Sequence, residues 1–196
     1  DYTTTVSEKV IKNYISILKQ YDYVDGNTTF LNAESNINFE IYYPDGRLYD
    51  TITTDKNGYA TITIPYGVWK FHQVNSTTGF EKIYDFYVVI DENSEKEQYY
   101  NILNNKISAY LQIYKKDSET GLKPQGDGNL TNAKYGIYNS KNELFDTIIT
   151  GEKNKTKDIP YGKYIIKEIE ASKGYELDTN IYEVTIDKNN QQIKLD

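Results

Sequence analysis

Cysteine and methionine are both absent from the 196 residues, and histidine occurs once. Without cysteine there is no disulfide, no thiolate metal site and no thiol nucleophile. His72 alone supplies neither a histidine-based triad nor a zinc cluster, and its alternation with Phe71 and Gln73 places it on an exposed face. No stretch of about twenty apolar residues is present, so no helix is expected to span or insert into a membrane. No signal peptide stands at Asp1, and any targeting segment is expected upstream or already removed. Basic charge is in short supply, with 22 Lys and Arg against 29 Asp and Glu and a net charge of −7. No clustered basic patch exists to release counterions, which excludes a nucleic-acid partner. Asp45-Gly46 and Asp127-Gly128 lack the Asp-x-Asp-x-Asp ladder of a calcium loop and read as turns. No metal and no cofactor is expected.

Tyrosine is the excess, 21 residues, which suits half-exposed strands and, in a second reading, stacking on carbohydrate. The chain also repeats itself. Phe39-Glu-Ile-Tyr-Tyr-Pro-Asp-Gly-Arg-Leu-Tyr49 returns as Tyr135-Gly-Ile-Tyr-Asn-Ser-Lys-Asn-Glu-Leu-Phe145, and both continue Asp-Thr-Ile. Ile64-Pro65-Tyr66-Gly67 returns as Ile159-Pro160-Tyr161-Gly162. Solenoid units usually repeat every ~20–50 residues, so a spacing this long means two copies of one domain. Ala60–Ile64 and Tyr182–Ile186 alternate with period two, and turn residues punctuate the strands. Ser7–Gln20 has the length of a helix, but Val10, Ile11, Ile15 and Ile17 favour strand. The expected fold is all-β, two tandem Greek-key β-sandwiches. Lys12–Ser16 resembles Asn104–Ser108, which sets the expected domains at 14–105 and 106–196, with 1–13 as the tail strand of an upstream unit or a linker. Asn13 then served that upstream unit, and the sequence reads as a slice of a longer array.

Period two places Leu111, Ile113 and Lys115 on one strand face, and Ile15, Ile17 and Lys19 on another. Tyr164, Ile166 and Glu168 likewise share a face. A buried lysine or glutamate is costly unless paired or neutralised, and burial pushes both toward their neutral forms. A neutral amine is a nucleophile, and a protonated carboxyl polarises an amide carbonyl. With an inward asparagine the product is a Lys–Asn isopeptide and ammonia. A plain buried ion pair, or a lysine whose ammonium reaches water, fits the spacing as well.

The run Tyr164-Ile-Ile-Lys-Glu168-Ile-Glu-Ala171-Ser-Lys-Gly174-Tyr175 resembles the Tyr-x-Leu-x-Glu-x-x-Ala-Pro-x-Gly-Tyr signature of Cna B-type (SpaA-like) domains of Gram-positive adhesins and pili. Lys115–Gly121 is similar to that family's Lys-x-Asp-x-x-Thr-Gly strand, and Leu130–Tyr138 to its Leu-x-Gly-Ala-x-Phe-x-Ile-Tyr, with Asn132 in place of glycine. The resemblance covers the second copy and, more loosely, the first. It implies a prealbumin-like (Ig-like) sandwich with Lys115 as nucleophile and Glu168 as catalytic acid. In the first copy Gln73 stands where the glutamate should be, and glutamine cannot relay a proton. Lys19 remains, and Leu103-x-Asn105 suggests Asn105 as its acceptor, with slow or absent bond formation unless another carboxyl substitutes. In the second copy the acceptor is Asp196, which by register points outward, or a residue beyond it.

The chain is therefore expected to be a stalk segment of an extracellular, cell-wall-anchored Gram-positive surface protein. It would not be an enzyme; its only chemistry would be single-turnover self cross-linking. Its partners would be adjacent domains of the array and, through a head domain outside this sequence, host matrix or glycan. The competing reading is a binding module that grips host protein or carbohydrate with exposed tyrosines. Val24–Phe30 and Gln125–Leu130, where the copies differ most, would then carry binding.

Overall fold

The computed structural model describes residues 2–195, and among these there are strands and turns but no helix. Contacts divide the chain into two units, Asp1–Asn105 and Lys106–Asp196. The first unit holds β1 (Lys12–Asp25), β2 (Thr28–Ala33), β3 (Asn38–Tyr42), β4 (Leu48–Thr53), β5 (Tyr59–Pro65), β6 (Gly67–Gln73), β7 (Phe86–Ile90) and β8 (Glu97–Asn104). The second holds β9 (Ser108–Ile113), β10 (Lys134–Asn139), β11 (Leu144–Ile149), β12 (Ile159–Pro160), β13 (Gly162–Glu170), β14 (Ile181–Ile186) and β15 (Gln192–Leu195).

Each unit is two sheets facing one core. In the first, β4-β3-β6-β7 is antiparallel throughout. The other sheet is built on β1, which pairs antiparallel with β5 and then β2, and parallel with β8. Inward residues of both sheets interlock, among them Ile15, Ile17, Phe39, Ile64, Trp69 and Phe71, all at most 2% exposed. The second unit repeats the plan with β11-β10-β13-β14 against β12-β9-β15. Its core includes Leu111, Tyr135, Ile137, Ile148 and Ile166. The repeated sequence gives repeated geometry. The ladder shifts register between Ile41 and Tyr42 and again between Ile137 and Tyr138, just before each hairpin turn. In the first of these turns, Gly46 takes a φ of 86°, a conformation that costs glycine little.

The first and last strands of each unit are parallel neighbours, β1 with β8 and β9 with β15. A chain entering along the first strand therefore leaves each sandwich at its opposite end. The units differ where β1 continues past the core. Its outer half pairs with β2 in a hairpin that exposes Tyr23, Val24, Phe30 and Leu31. By contrast, β9 stops at Ile113.

Residues 12 and 13 are not a separate tail. Lys12 and Asn13 begin β1, opposite Pro65 and Ile64. The Asn13 side chain is 1% exposed, and its Nδ2 donates to Ser94 Oγ at 2.9 Å and to the Glu95 carbonyl at 2.7 Å. Asn13 thus serves the first unit, its amide tying the start of β1 to the segment before β8.

Candidate functional site

Lys19 follows Ile15 and Ile17 on the inner face of β1 and is completely buried. A desolvated ammonium costs several kcal/mol unless a partner offsets it. The partner is Glu34, also at 0% side-chain exposure, whose Oε2 accepts from Lys19 Nζ at 3.0 Å. Burial pushes the Lys19 pKa down, and the hydrogen bond and charge of Glu34 oppose that shift without cancelling it. Asn104, the last residue of β8 and 1% exposed, directs Nδ2 at the same carboxylate, 2.9 Å from Oε1 and 2.7 Å from Oε2. The Thr77 N–H donates to Glu34 Oε1 at 2.8 Å.

The backbone holds this carboxylate in place. Glu34 N donates to the Lys19 carbonyl at 2.9 Å, and the Glu34 carbonyl accepts from Thr54 Oγ1. Asn104 sits opposite Tyr21 in the parallel β1–β8 ladder, two positions beyond the partner of Lys19. An amine, a carboxyl and a primary amide therefore meet in one dry site between the first and last strands.

This differs from the sequence expectation at two positions. Gln73 is buried opposite Phe39, as Glu168 is opposite Tyr135, but its side-chain hydrogen bonds go to the backbone, while Lys19 bonds to Glu34. Its Nε2 donates to the Asn75 carbonyl at 2.7 Å and its Oε1 accepts from Ile83 N at 3.2 Å. Asn105 is exposed, and so is Leu103, at 48%. The inward residues of β8 are Tyr100, Ile102 and Asn104. Both parities of this strand carry apolar residues, so alternation alone chose the wrong face. Glu34 gave one signal, a charge standing where the other copy has Leu130. The two positions match structurally, since Thr54 Oγ1 donates to the Glu34 carbonyl as Thr150 Oγ1 does to that of Leu130.

In the second unit Lys115 and Glu168 are together, as the alternation of Leu111, Ile113 and Lys115 suggested. Lys115 Nζ donates to Glu168 Oε1 at 2.6 Å and to the Tyr135 hydroxyl at 3.3 Å. The Glu168 side chain is at 0% exposure and that of Lys115 at 13%. Glu168 Oε2 accepts from Asp178 N at 2.5 Å, the counterpart of the bond from Ile83 N to Gln73. The Tyr135 hydroxyl is pushed to a raised pKa, first by burial and then by the nearby Glu168 charge.

Past β9 the lysine segment is pinned by Asp117. Its carboxylate accepts from Glu119 N at 2.9 Å, Thr120 N at 3.0 Å and the Tyr175 hydroxyl at 2.8 Å. These bonds hold the Asp117 carboxyl far below the usual carboxylate range. They also explain why the Asp of one motif and the Gly-Tyr of another occur together. A cavity of about 150 Å³ opens beside Lys115, lined by Ile113, Tyr135, Asp178 and Tyr182. The parallel ladder sets Leu195 opposite Ile113, two positions short of Lys115. Asp196 lies outside the described residues.

Comparison with known proteins adds three findings. Residues 109–196 match the family described as SpaA, a prealbumin-like fold domain. A segment of 59 residues is 44% identical to the trypsin-resistant surface T6 protein of Streptococcus pyogenes serotype M6, covering 29% of this chain and 11% of that protein. The fold aligns with the Bacillus anthracis TIE protein at a TM-score of 0.61 and 29% identity, over 94% of this chain and 33% of that one. The chain thus spans about a third or less of either relative.

Proposed function

We propose that this chain, whose residues 109–196 match the SpaA prealbumin-like fold domain, is a load-bearing stalk segment of a Gram-positive, cell-wall-anchored surface protein. Its units are locked by lysine isopeptide bonds formed without an external catalyst. The observation that carries this reading is a lysine–carboxylate pair in each unit, Lys19 with Glu34 on β1 and Lys115 with Glu168 two residues past β9, each lysine continuing the inward face of a first strand that runs parallel to the last. Burying an ammonium and a carboxylate is a poor way to gain stability, because apolar residues of similar volume do as well or better. Reactivity gives the pair a purpose. In the second unit Lys115 is the nucleophile and Glu168 the acid that relays the proton, with Asp196 as the acceptor.

A parallel first and last strand also places load along the bonded direction. Tension entering at the start of β1 and leaving at the end of β8 shears one strand past the other. A covalent link between them bypasses everything in between. Exposed tyrosines occur in both units, more of them in the first, and include the matched pair Tyr66 and Tyr161, 51% and 44% exposed. That matched pair supports a repeated scaffold. Adjacent domains of the array are the immediate partners, and host matrix or glycan would be met by a head domain elsewhere in the protein.

Single-molecule pulling tests the stalk reading. A locked first unit gives no unfolding step, whereas an unlocked one releases residues 20–103, roughly 290 Å of extended chain at about 3.4 Å per residue. Full release from both wild-type units would contradict the proposal.

A further inference from the structure

The first unit carries Gln73 where the second carries Glu168, yet among the described residues its centre brings an amine, a carboxyl and an amide together. We propose that Glu34, supplied by the segment between β2 and β3, is the catalytic acid–base of the first unit, and that Asn104 is the acceptor of Lys19. This rests on the cross-linking reading above and assigns its residues in a unit where the signature fails.

Three observations converge. Lys19 Nζ and Asn104 Nδ2 hang from the same oxygen, Glu34 Oε2, at 3.0 and 2.7 Å. All three side chains are sealed from water, at 0%, 1% and 1% exposure for Lys19, Glu34 and Asn104. Asn104 Oδ1 is buried and has no hydrogen-bond partner among the described residues. A buried carbonyl left without a donor is costly. Turning the amide by half a rotation sets Oδ1 against Glu34, where a protonated carboxyl donates to it. That contact makes the amide carbon electrophilic, and the bonded product leaves neither amide atom stranded.

The step balances within these residues. The lysine ammonium passes one proton along its hydrogen bond to Glu34, leaving a neutral amine. The amine lone pair attacks Asn104 Cγ while the carboxyl of Glu34 donates to Oδ1. Glu34 then takes a proton from the bonded Nζ and delivers one to Nδ2. The Cγ–Nδ2 bond breaks, and nitrogen leaves as ammonia carrying the surplus proton of the lysine as ammonium. The product is a Cγ–Nζ amide, and Glu34 returns to its carboxylate form.

The two units thus use two positions of one fold. The first has Glu34 with Gln73, and the second has Leu130 with Glu168, so each lysine is bonded to one carboxyl, supplied by a different segment of the fold. Tyr135, whose hydroxyl contacts Lys115, is matched by Phe39, which has none. The oxygen of Gln73 keeps the backbone bond that Glu168 makes, so Gln73 has a structural role.

Peptide mapping of the full chain by mass spectrometry tests this. Wild type should yield a branched peptide joining Lys19 to Asn104, lighter by one ammonia. Glu34→Gln should keep the emission of Trp69, buried in the first unit and the chain's single tryptophan, yet leave Lys19 and Asn104 linear. Asn104→Asp should still cross-link, now with loss of one water, which a merely structural residue would not produce. A linear Lys19 in folded wild type, a link to Asn105, or an intact link in Glu34→Gln overturns the inference. If the second unit alone is bonded, this assignment fails while the stalk reading stands; if neither is bonded, both fail.

Discussion

Replacing Asn104 with alanine removes the proposed acceptor but leaves the Lys19–Glu34 pair in place, so its main effect reads the value of the covalent bond. A link between residues 19 and 104 would close a loop of about 85 residues. In the chain-entropy treatment of cross-links such a loop restricts the unfolded chain by about 4.5 kcal/mol. For a domain of this size each kcal/mol moves the midpoint by about 4–8 °C, so Asn104→Ala should lower melting of the first unit by about 20–35 °C. Two local effects fall outside that figure. The variant loses the amide contacts to Glu34, and it also removes the stranded Oδ1. The assay is thermal unfolding followed by Trp69 emission, since this residue is 2% exposed in the core of the first unit. A decrease of less than about 5 °C would refute the reasoning, because no loop-closing bond could then have been present.

Asp117→Asn should weaken the second unit at neutral pH. The folded carboxyl lies below its ordinary value of 3.8, so its stabilisation is present above about pH 4 and is lost as pH falls through the folded value. Calorimetry should show wild type losing stability in that acid window and the variant losing much less; equal stability at pH 7 would argue against the Asp117 hub. Gly58→Ala should destabilise the first unit by about 1–3 kcal/mol in urea titrations. Gly58 has a φ of 83°, and an added Cβ would lie 2.5 Å from the Lys19 carbonyl oxygen. An unchanged midpoint would mean that the centre is looser than described. In the unlinked Asn104→Ala protein, stability of the first unit should rise with pH. Lys19 has a folded pKa below its ordinary 10.5, so between those values the unfolded state binds more protons. A urea midpoint that falls from pH 7 to pH 10 would contradict a desolvated Lys19.

Much of the architecture was legible because sandwich strands write their faces into the sequence. Ile15, Ile17 and Lys19 on one strand, and Tyr164, Ile166 and Glu168 on another, could be set inward by alternation alone. The Lys115–Glu168 pair followed from that rule. The same rule failed on β8, where Tyr99, Asn101 and Leu103 compete with Tyr100, Ile102 and Asn104, and parity does not decide between two mixed faces. Asn13 misled for a related reason, since a buried asparagine that satisfies backbone groups reads like one awaiting a reaction. Glu34 was hidden more deeply. It lies between strands, outside any periodic pattern, and only the fold brings it under Lys19. The carboxyl that meets Lys19 comes from a different segment than the strand of Gln73, which a motif tied to one strand cannot register.

Intact mass of the purified 196-residue chain, unfolded in denaturant, tests the covalent account most directly. The account predicts a mass below that of the linear sequence by one ammonia for the Lys19–Asn104 bond, and by a further water if Lys115 is bonded to Asp196. A mass equal to the linear sequence would contradict it and leave two buried ion pairs in place of two locks.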